Sequence, residues 1–313
     1  MVPLVVFRAA GMVLLTLVCM TTLATGSNEL HNKVIDVLHI PKTGSQWAVT
    51  IANAYCPMAG VKETSNCPAD IDWKDTHGLL KCLCLGKFAS HCTAHVHQFC
   101  GHSPIRSKSN PIIAVFRNAT SRIASGLLHY LHDCKRLSKK HKCSPHHPEY
   151  PCQILKQLQN LDEDVDFNTT LIPNSTETWG EFILDYGECV HACSANMLTG
   201  KACDIQVRSR DALMKKVRAI FEKRIVFAAL TEEFNASVDL FRTMFGSPLF
   251  QHEWRPESKN SYRGQQRHAL EEKIVEFLQK SANAGHFDPV DALVFELAQD
   301  WFDKKLAEHK VDQ

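Results

Sequence analysis

The sequence predicts an α/β fold in which a parallel β-sheet is flanked by helices. Three short apolar runs have the length and composition of buried strands, and they lie at 34–40, 111–116 and 224–230. Segments with helical periodicity follow these runs. Strands that alternate with helices generally form a parallel sheet that is covered on both faces. The chain has 313 residues, 44% of them hydrophobic, which is enough for one large domain with its own core.

The helical segments carry apolar residues at three- and four-residue spacing. In chain order they are 45–55, 119–134, 176–187, 209–224, 231–245, 266–282 and 288–309. Residues 56–102 are rich in Cys and His and show little periodicity. Residues 134–176 are polar and contain Lys, His, Pro and Cys, so we interpret them as a disulfide-containing surface insertion.

The N-terminus predicts entry into the secretory pathway. Residues 9–25 are apolar and uncharged, and Arg8 precedes them. This length lies between a signal-peptide core and a short membrane span. We therefore predict that residues 1–27 are a signal anchor or a signal peptide and that residues 28–313 form a lumenal domain. A type II membrane protein of the Golgi is favoured over a secreted protein, and a buried helix is the third alternative.

Cysteine usage supports an oxidising compartment. Of 13 cysteines, 12 lie between Cys56 and Cys203 and none follows, which predicts several disulfides without giving their connectivity. Glycosylation sequons are consistent with this location and occur at Asn168, Asn174 and Asn235, with a fourth at Asn118. The formal net charge of +1 gives no indication of a nucleic-acid partner.

Two strand–helix junctions predict anion sites. The first strand leads into Pro-Lys-Thr-Gly-Ser, which includes Lys42, directly before a helix. Backbone N–H groups at a helix N-terminus favour anions. The Walker A pattern is absent, and a simple turn with a solvated lysine is the alternative interpretation. At the second junction Arg117 ends a buried strand, and Ser125 follows eight residues later on the next helix. Ligands of parallel sheets bind at such carboxyl ends of strands.

Together, HIPKTGS and FRNATSRIASG resemble the two signature motifs of Golgi carbohydrate sulfotransferases. These enzymes transfer a sulfuryl group from 3′-phosphoadenosine 5′-phosphosulfate (PAPS). The arginine-to-serine spacing matches the family, and weaker matches follow at 194–200, 224–237 and 291–302. The resemblance extends from about residue 34 to 305 and is closest to the heparan sulfate 2-O and 6-O type. Ser45 departs from the family's second glycine, and the insertion after the second motif does not align.

The resemblance implies a set of nucleotide contacts. Lys42 would bind the bridging oxygen and the sulfonate and would stabilise charge on the leaving phosphate. The 5′-phosphate would be held by Thr43, Gly44, Ser45 and Gln46. Arg117 and Ser125 would bind the 3′-phosphate, which also suits a guanidinium and a hydroxyl chemically. Adenosine 3′,5′-bisphosphate (PAP) would be the product, no metal would be needed, and Asn118 would be too occluded for glycosylation.

The catalytic base is expected in the Cys/His stretch. Ala94-His95-Val96 resembles the segment that carries the base histidine of 2-O enzymes, so His95 is the first choice, with His97 and His102 next. A histidine suits this role because its pKa lies near the pH of the Golgi lumen. A surface or structural role is equally compatible with any one of these histidines.

Zinc binding is the rival interpretation of this stretch, with ligands from Cys82, Cys84, Cys92, Cys100 and the neighbouring histidines. The Cys-x-Cys spacing is not that of a structural zinc knuckle, and disulfides are the simpler use of the thiols.

Two further segments are weaker candidates for ligand binding. The basic run at 135–143 is either an acceptor groove for an anionic polysaccharide or a solvated surface. The loop predicted at 259–264 contributes Lys259 and Arg263 as candidates for nucleotide contact, because family enzymes often bring such a loop over the nucleotide.

The expected function is therefore PAPS-dependent O-sulfation of a glycan or glycosaminoglycan-like acceptor. The alternative is a catalytically inactive lumenal glycan-binding protein with the same fold, and a nucleoside kinase is disfavoured. The sequence leaves open the acceptor sugar, the hydroxyl position and the oligomeric state.

Overall fold

The computed structural model describes residues 35–38, 40, 94–95, 104–105, 107–129, 131, 133–143, 152–161, 164–245, 262–282 and 287–311. The N-terminal apolar segment, the predicted helix at 45–55 and most of the Cys/His stretch lie outside these ranges. Among the helices within them, none combines the length and the apolar composition needed to cross a membrane.

The described chain is a mixed α/β domain with four parallel strands. They are β1 (Ile35–Leu38), β2 (Ala94–His95), β3 (Ile112–Phe116) and β4 (Ile225–Leu230). The strand order is β2-β1-β3-β4, and every neighbouring pair is parallel. The predicted parallel sheet is confirmed, whereas strand β2 was not predicted.

Nine helices occur within the described ranges. They are α1 (Ala119–Leu127), α2 (Lys135–Lys140), α3 (Gln153–Gln159), α4 (Trp179–Cys189), α5 (Cys193–Leu198), α6 (Arg210–Lys223), α7 (Phe234–Phe245), α8 (Tyr262–Ser281) and α9 (Pro289–His309). Helix α8 packs against α1 and α4, and α9 packs on β4 beside α5, α6 and α7.

The centre of the sheet is covered on both faces. All five side chains of β3 are buried, and successive side chains of a strand point to opposite faces. On β4, the buried ring of Phe227 packs against Phe241 and Trp301, with centroid distances of 5.0 and 6.0 Å. These contacts attach α7 and α9 to the sheet.

A polar cluster closes the amino edge of the sheet. Buried Asp36 on β1 accepts a hydrogen bond from Asn110 and lies 3.5 Å from the guanidinium of Arg224. Arg224 also donates to the carbonyl groups of Asn110 and Ser107. This edge lies opposite the strand ends that carry the predicted anion sites, so we assign it to stability.

The predicted helix at 119–134 is too long. Helix α1 ends at Leu127, and Leu128 is its C-cap residue. Leu131 and Asp133 then adopt left-handed backbone angles, with φ values of 57° and 65°. The apolar periodicity extended past this point because Leu131 is fully buried, although it is no longer helical.

The interpretation of residues 134–176 as a surface insertion is also corrected. Leu137, Leu155, Leu158 and Phe167 all belong to the hydrophobic core. Three disulfides occur within the described ranges: Cys134–Cys189, Cys143–Cys152 and Cys193–Cys203. Two of them involve this segment, so it is a packed and cross-linked part of the domain. The prediction of an oxidised protein with several disulfides agrees with these bridges.

Candidate functional site

The carboxyl edge of the sheet brings together the ends of β3 and β4. Phe116 and Leu230 are the last paired residues of these strands. Thr231 continues the contact, because its backbone N–H and its hydroxyl each donate to the Phe116 carbonyl at 2.9 Å. The residues that follow each strand, from Arg117 and from Thr231, therefore lie side by side.

Strand β1 ends at the same edge. Leu38 pairs with Ala114 of β3, and the side chain of Ile40 is fully buried. Lys42, Thr43, Gly44, Ser45 and Gln46 follow in sequence and lie outside the described residues. The strand order is therefore compatible with the two adjacent anion sites that the sequence predicts, and the structure describes the residues of the one predicted on β3.

Two donors at the end of β3 each hold a carboxylate. The Arg117 guanidinium forms an ion pair with Glu271 of α8, and each side chain is 21% exposed. The backbone N–H of Asn118 donates to Glu232 at 2.9 Å. Neither acid was predicted, since both come from elements distant in sequence. The two donors thus contact anionic groups of the protein itself, Glu271 and Glu232.

Asn118 defines the start of α1. Its side-chain oxygen accepts hydrogen bonds from the backbone N–H groups of Thr120 and Ser121, at 3.1 and 3.4 Å. This N-cap also accepts the Thr120 hydroxyl at 2.8 Å, so the first and third residues of this sequon bond to each other. The N-cap fixes the direction in which the chain leaves Arg117.

Ser125 lies within α1 and is 7% exposed. No hydrogen bond joins it to Arg117 in the described part of the chain. The structure therefore places both predicted residues on one strand–helix unit, with Arg117 at the edge and Ser125 buried beside the core.

A buried ionic cluster, which we call the Arg122 cluster, lies behind this unit. It comprises Arg122, Asp288, Asp291 and His191. Arg122 on α1 lies 3.1 Å from Asp291 and 3.5 Å from Asp288, and both carboxylates are on or next to α9. His191 lies 3.4 Å from Asp288. The Arg122 guanidinium also donates to the Val190 carbonyl at 3.1 Å.

Backbone donors satisfy the two carboxylates of this cluster. Asp288 is the N-cap of α9 and accepts the Ala192 N–H at 2.9 Å. Asp291 accepts the N–H groups of Ser194 and Ala195, at 2.8 and 3.1 Å, at the start of α5. Burial, reinforced by the neighbouring Asp291, raises the pKa of Asp288 to about 6. The cluster joins α1, α5 and α9, and we assign it a structural role in holding α1.

The register of β2 bears on the predicted base. His95 pairs with Asp36, which in turn pairs with Ile112 at the start of β3. Arg117 lies five residues beyond Ile112. Along the strand direction, the backbone of His95 is therefore about 17 Å from the backbone of Arg117. The register thus places His95 near the amino end of the sheet. His97 and His102 lie outside the described residues.

The weaker candidates are only partly described. Helix α8 begins at Tyr262, so Arg263 lies in its first turn and not in the predicted loop; Lys259 lies outside the described residues. In the basic run, Arg136 pairs with Asp185, and Lys140 lies 3.3 Å from Glu177. These contacts partly neutralise the run as an acceptor groove.

No group of three or more His, Cys, Asp or Glu side chains within the described ranges is placed to hold a metal ion. The cysteines and histidines of the alternative zinc site lie outside those ranges, apart from the backbone of His95.

The described elements therefore define a mixed α/β domain with a parallel sheet, a basic strand end at its carboxyl edge and several disulfides. Comparisons of the chain with protein-family models, curated proteins and solved structures found no match.

Proposed function

We propose that the protein is a PAPS-dependent carbohydrate O-sulfotransferase of the secretory pathway with a P-loop-like sulfotransferase fold. The observation that carries the proposal is the β3–Arg117–α1 junction. It puts a guanidinium at the carboxyl end of a parallel strand, with Ser125 on the following helix. The Pro-Lys-Thr-Gly-Ser sequence follows the neighbouring strand β1. Two adjacent anion sites suit a nucleotide with a 3′-phosphate and a 5′-phosphosulfate.

In this proposal the chain's own groups supply charge and position. Arg117 and Ser125 bind the 3′-phosphate, and Lys42 stabilises charge on the leaving phosphate oxygen as the sulfuryl group moves to the acceptor hydroxyl. A base removes the acceptor's proton. The register of β2 disfavours His95 for this step, so His97 and His102 become the first histidines to test, and no metal has a role.

Nucleotide binding tests the proposal directly. PAP should raise the melting temperature of the full-length protein, since a ligand at 100 times its dissociation constant adds about 2.7 kcal/mol. Arg117→Ala should weaken PAP binding by about ten- to a hundredfold, because it removes a charge-assisted phosphate contact. Arg136→Ala is the matched control, since Arg136 also pairs with a carboxylate but lies on α2, and it should leave PAP affinity unchanged.

Transfer from labelled PAPS to a panel of desulfated glycans then tests catalysis. Unchanged PAP affinity in Arg117→Ala would refute the assignment of the 3′-phosphate site. Absence of PAP binding by the wild-type protein would refute the enzyme proposal and would favour the inactive glycan-binding alternative. Binding without transfer to any glycan of the panel would likewise favour that alternative.

A further inference from the structure

The Arg117–Glu271 ion pair connects the anion site to helix α8. Glu271 lies on the part of α8 that packs near α1, and its carboxylate contacts the guanidinium at the end of β3. The adjacent donor, the Asn118 N–H, is engaged by Glu232 from the segment after β4. Two acids from different elements therefore converge on two consecutive donors.

We propose that Glu271 is an internal competitor for the anion site: it holds Arg117 while the site is empty, and an incoming phosphate ester displaces it. The proposal rests on the proposed function for the identity of the ligand, but not for the competition itself. A guanidinium forms its strongest bonds in a fixed planar fork. The Glu271 carboxylate contacts one terminal nitrogen of the guanidinium, Nη2, so a phosphate that binds the edge containing that nitrogen must displace it.

The exposure of the pair makes such an exchange inexpensive. Both side chains are 21% exposed, so each charged group keeps some contact with water and can regain more of it when the pair opens. The side chains of Arg122, Asp288 and Asp291, in contrast, are at most 3% exposed, and the two carboxylates are also held by backbone N–H groups. Compared with Asp288 and Asp291, Glu271 can therefore separate from its arginine at a lower cost, because neither charge of its pair is left fully buried without a partner.

Competition makes a quantitative prediction. If the pair must open before an anion binds, the apparent dissociation constant of the anion equals its intrinsic value divided by the fraction of protein in which the pair is open. Removing the charge of Glu271 should therefore lower the dissociation constant of the anion. The expected factor is the one by which the closed ion pair had raised it. For a pair of this exposure we expect about two- to fivefold.

The test compares Glu271→Gln with Glu272→Gln in the full-length protein. Glu272 is the next residue on α8, its side chain is 71% exposed, and its partner is His268 and not Arg117, so it controls for the charge change. Glu271→Gln should bind PAP about two- to fivefold more tightly and release it more slowly, whereas Glu272→Gln should match the wild type. Equal affinities for all three proteins, or weaker binding by Glu271→Gln, would overturn the proposal.

A second measurement separates this proposal from the nucleotide assignment. A double-mutant cycle with Arg117→Met and Glu271→Gln gives the interaction free energy of the pair in the unliganded protein. This free energy should match the gain in the free energy of PAP binding that Glu271→Gln shows. If PAP does not bind at all, the proposed function fails. Inorganic phosphate then replaces PAP as the probe and should stabilise Glu271→Gln more than the wild type and Glu272→Gln. An equal response of all three to phosphate would refute the competition.

Discussion

Replacing Arg122 with leucine removes the guanidinium that faces two buried carboxylates. The Arg122 side chain is 3% exposed, and those of Asp288 and Asp291 are 0% and 1% exposed. Leucine fits the apolar surroundings of α1 but leaves both carboxylates without their positive partner. We expect the variant to be strongly destabilised at neutral pH.

The magnitude follows from the burial of the cluster. Removing one partner of a buried ion pair typically costs 3–5 kcal/mol, because the remaining charge is desolvated and uncompensated. The N–H groups that still donate to Asp288 and Asp291 favour the lower end, about 3 kcal/mol. Arg136→Leu is the control, because its ion pair with Asp185 is 58% exposed on the arginine side; it should cost no more than about 1 kcal/mol.

The loss of stability caused by Arg122→Leu should also depend on pH. The pKa of Asp288 is already raised to about 6 by burial and by Asp291, and Arg122 opposes this rise. Without Arg122 the pKa of Asp288 should rise further. A carboxyl group with a higher pKa in the folded state binds more protons when folded, so the free energy of unfolding increases as pH falls through that value. The loss of stability should therefore shrink between pH 7 and pH 5.

Urea unfolding of the oxidised proteins at pH 7 and pH 5 measures both effects. The reasoning would be refuted if Arg122→Leu lost no more stability than Arg136→Leu at pH 7. It would also be refuted if the deficit of Arg122→Leu grew at pH 5, because the two carboxylates would then not be the source of the cost.

Three further predictions concern α4 and the sequons. Gly180→Ala should lower the free energy of unfolding by about 1–3 kcal/mol, since a Cβ at this position would lie 2.9 Å from the Phe167 carbonyl oxygen. A higher free energy of unfolding in urea would contradict that contact. Thr178→Ala removes the capping box of α4 and should cost about 1 kcal/mol by the same measurement, whereas an unchanged midpoint would mean that the cap is replaced. In secreted protein, mass spectrometry should find glycan on the exposed Asn168 but not on Asn118, whose side chain caps α1; glycan on Asn118 would refute its assignment as a cap.

The sequence predicted the elements whose apolar pattern is local. Strands β3 and β4 begin within one residue of their predicted starts and end where predicted, and α6, α7 and α9 lie within the predicted segments. Arg117 follows β3 directly, as expected. Strand β2 could not be predicted because it has two residues, which is too short for any periodicity.

The missed parts of the site depend on contacts between distant segments. Glu271 lies 154 residues after Arg117 in the chain, and no local pattern relates them. Two features of the sequence point weakly to the Arg122 cluster. Arg122 falls among the core-facing positions of α1, and Asp288 occupies the N-cap position before Pro289. A charged residue on an apolar helix face predicts a buried partner, but the sequence cannot identify that partner.

The positions of the three disulfides have a consequence for the order of assembly during synthesis. All of their cysteines lie between residues 134 and 203 and so precede β4 and α9 along the chain. Two of the bridges join cysteines only 9 and 10 residues apart and can close locally, whereas Cys134–Cys189 spans 55 residues and needs α4 to have docked. Since a chain is synthesised from its N-terminus, all six of these cysteines are available for pairing before β4 and α9 have been made. Substitutions in these last elements should therefore loosen packing while leaving the three cysteine pairs intact.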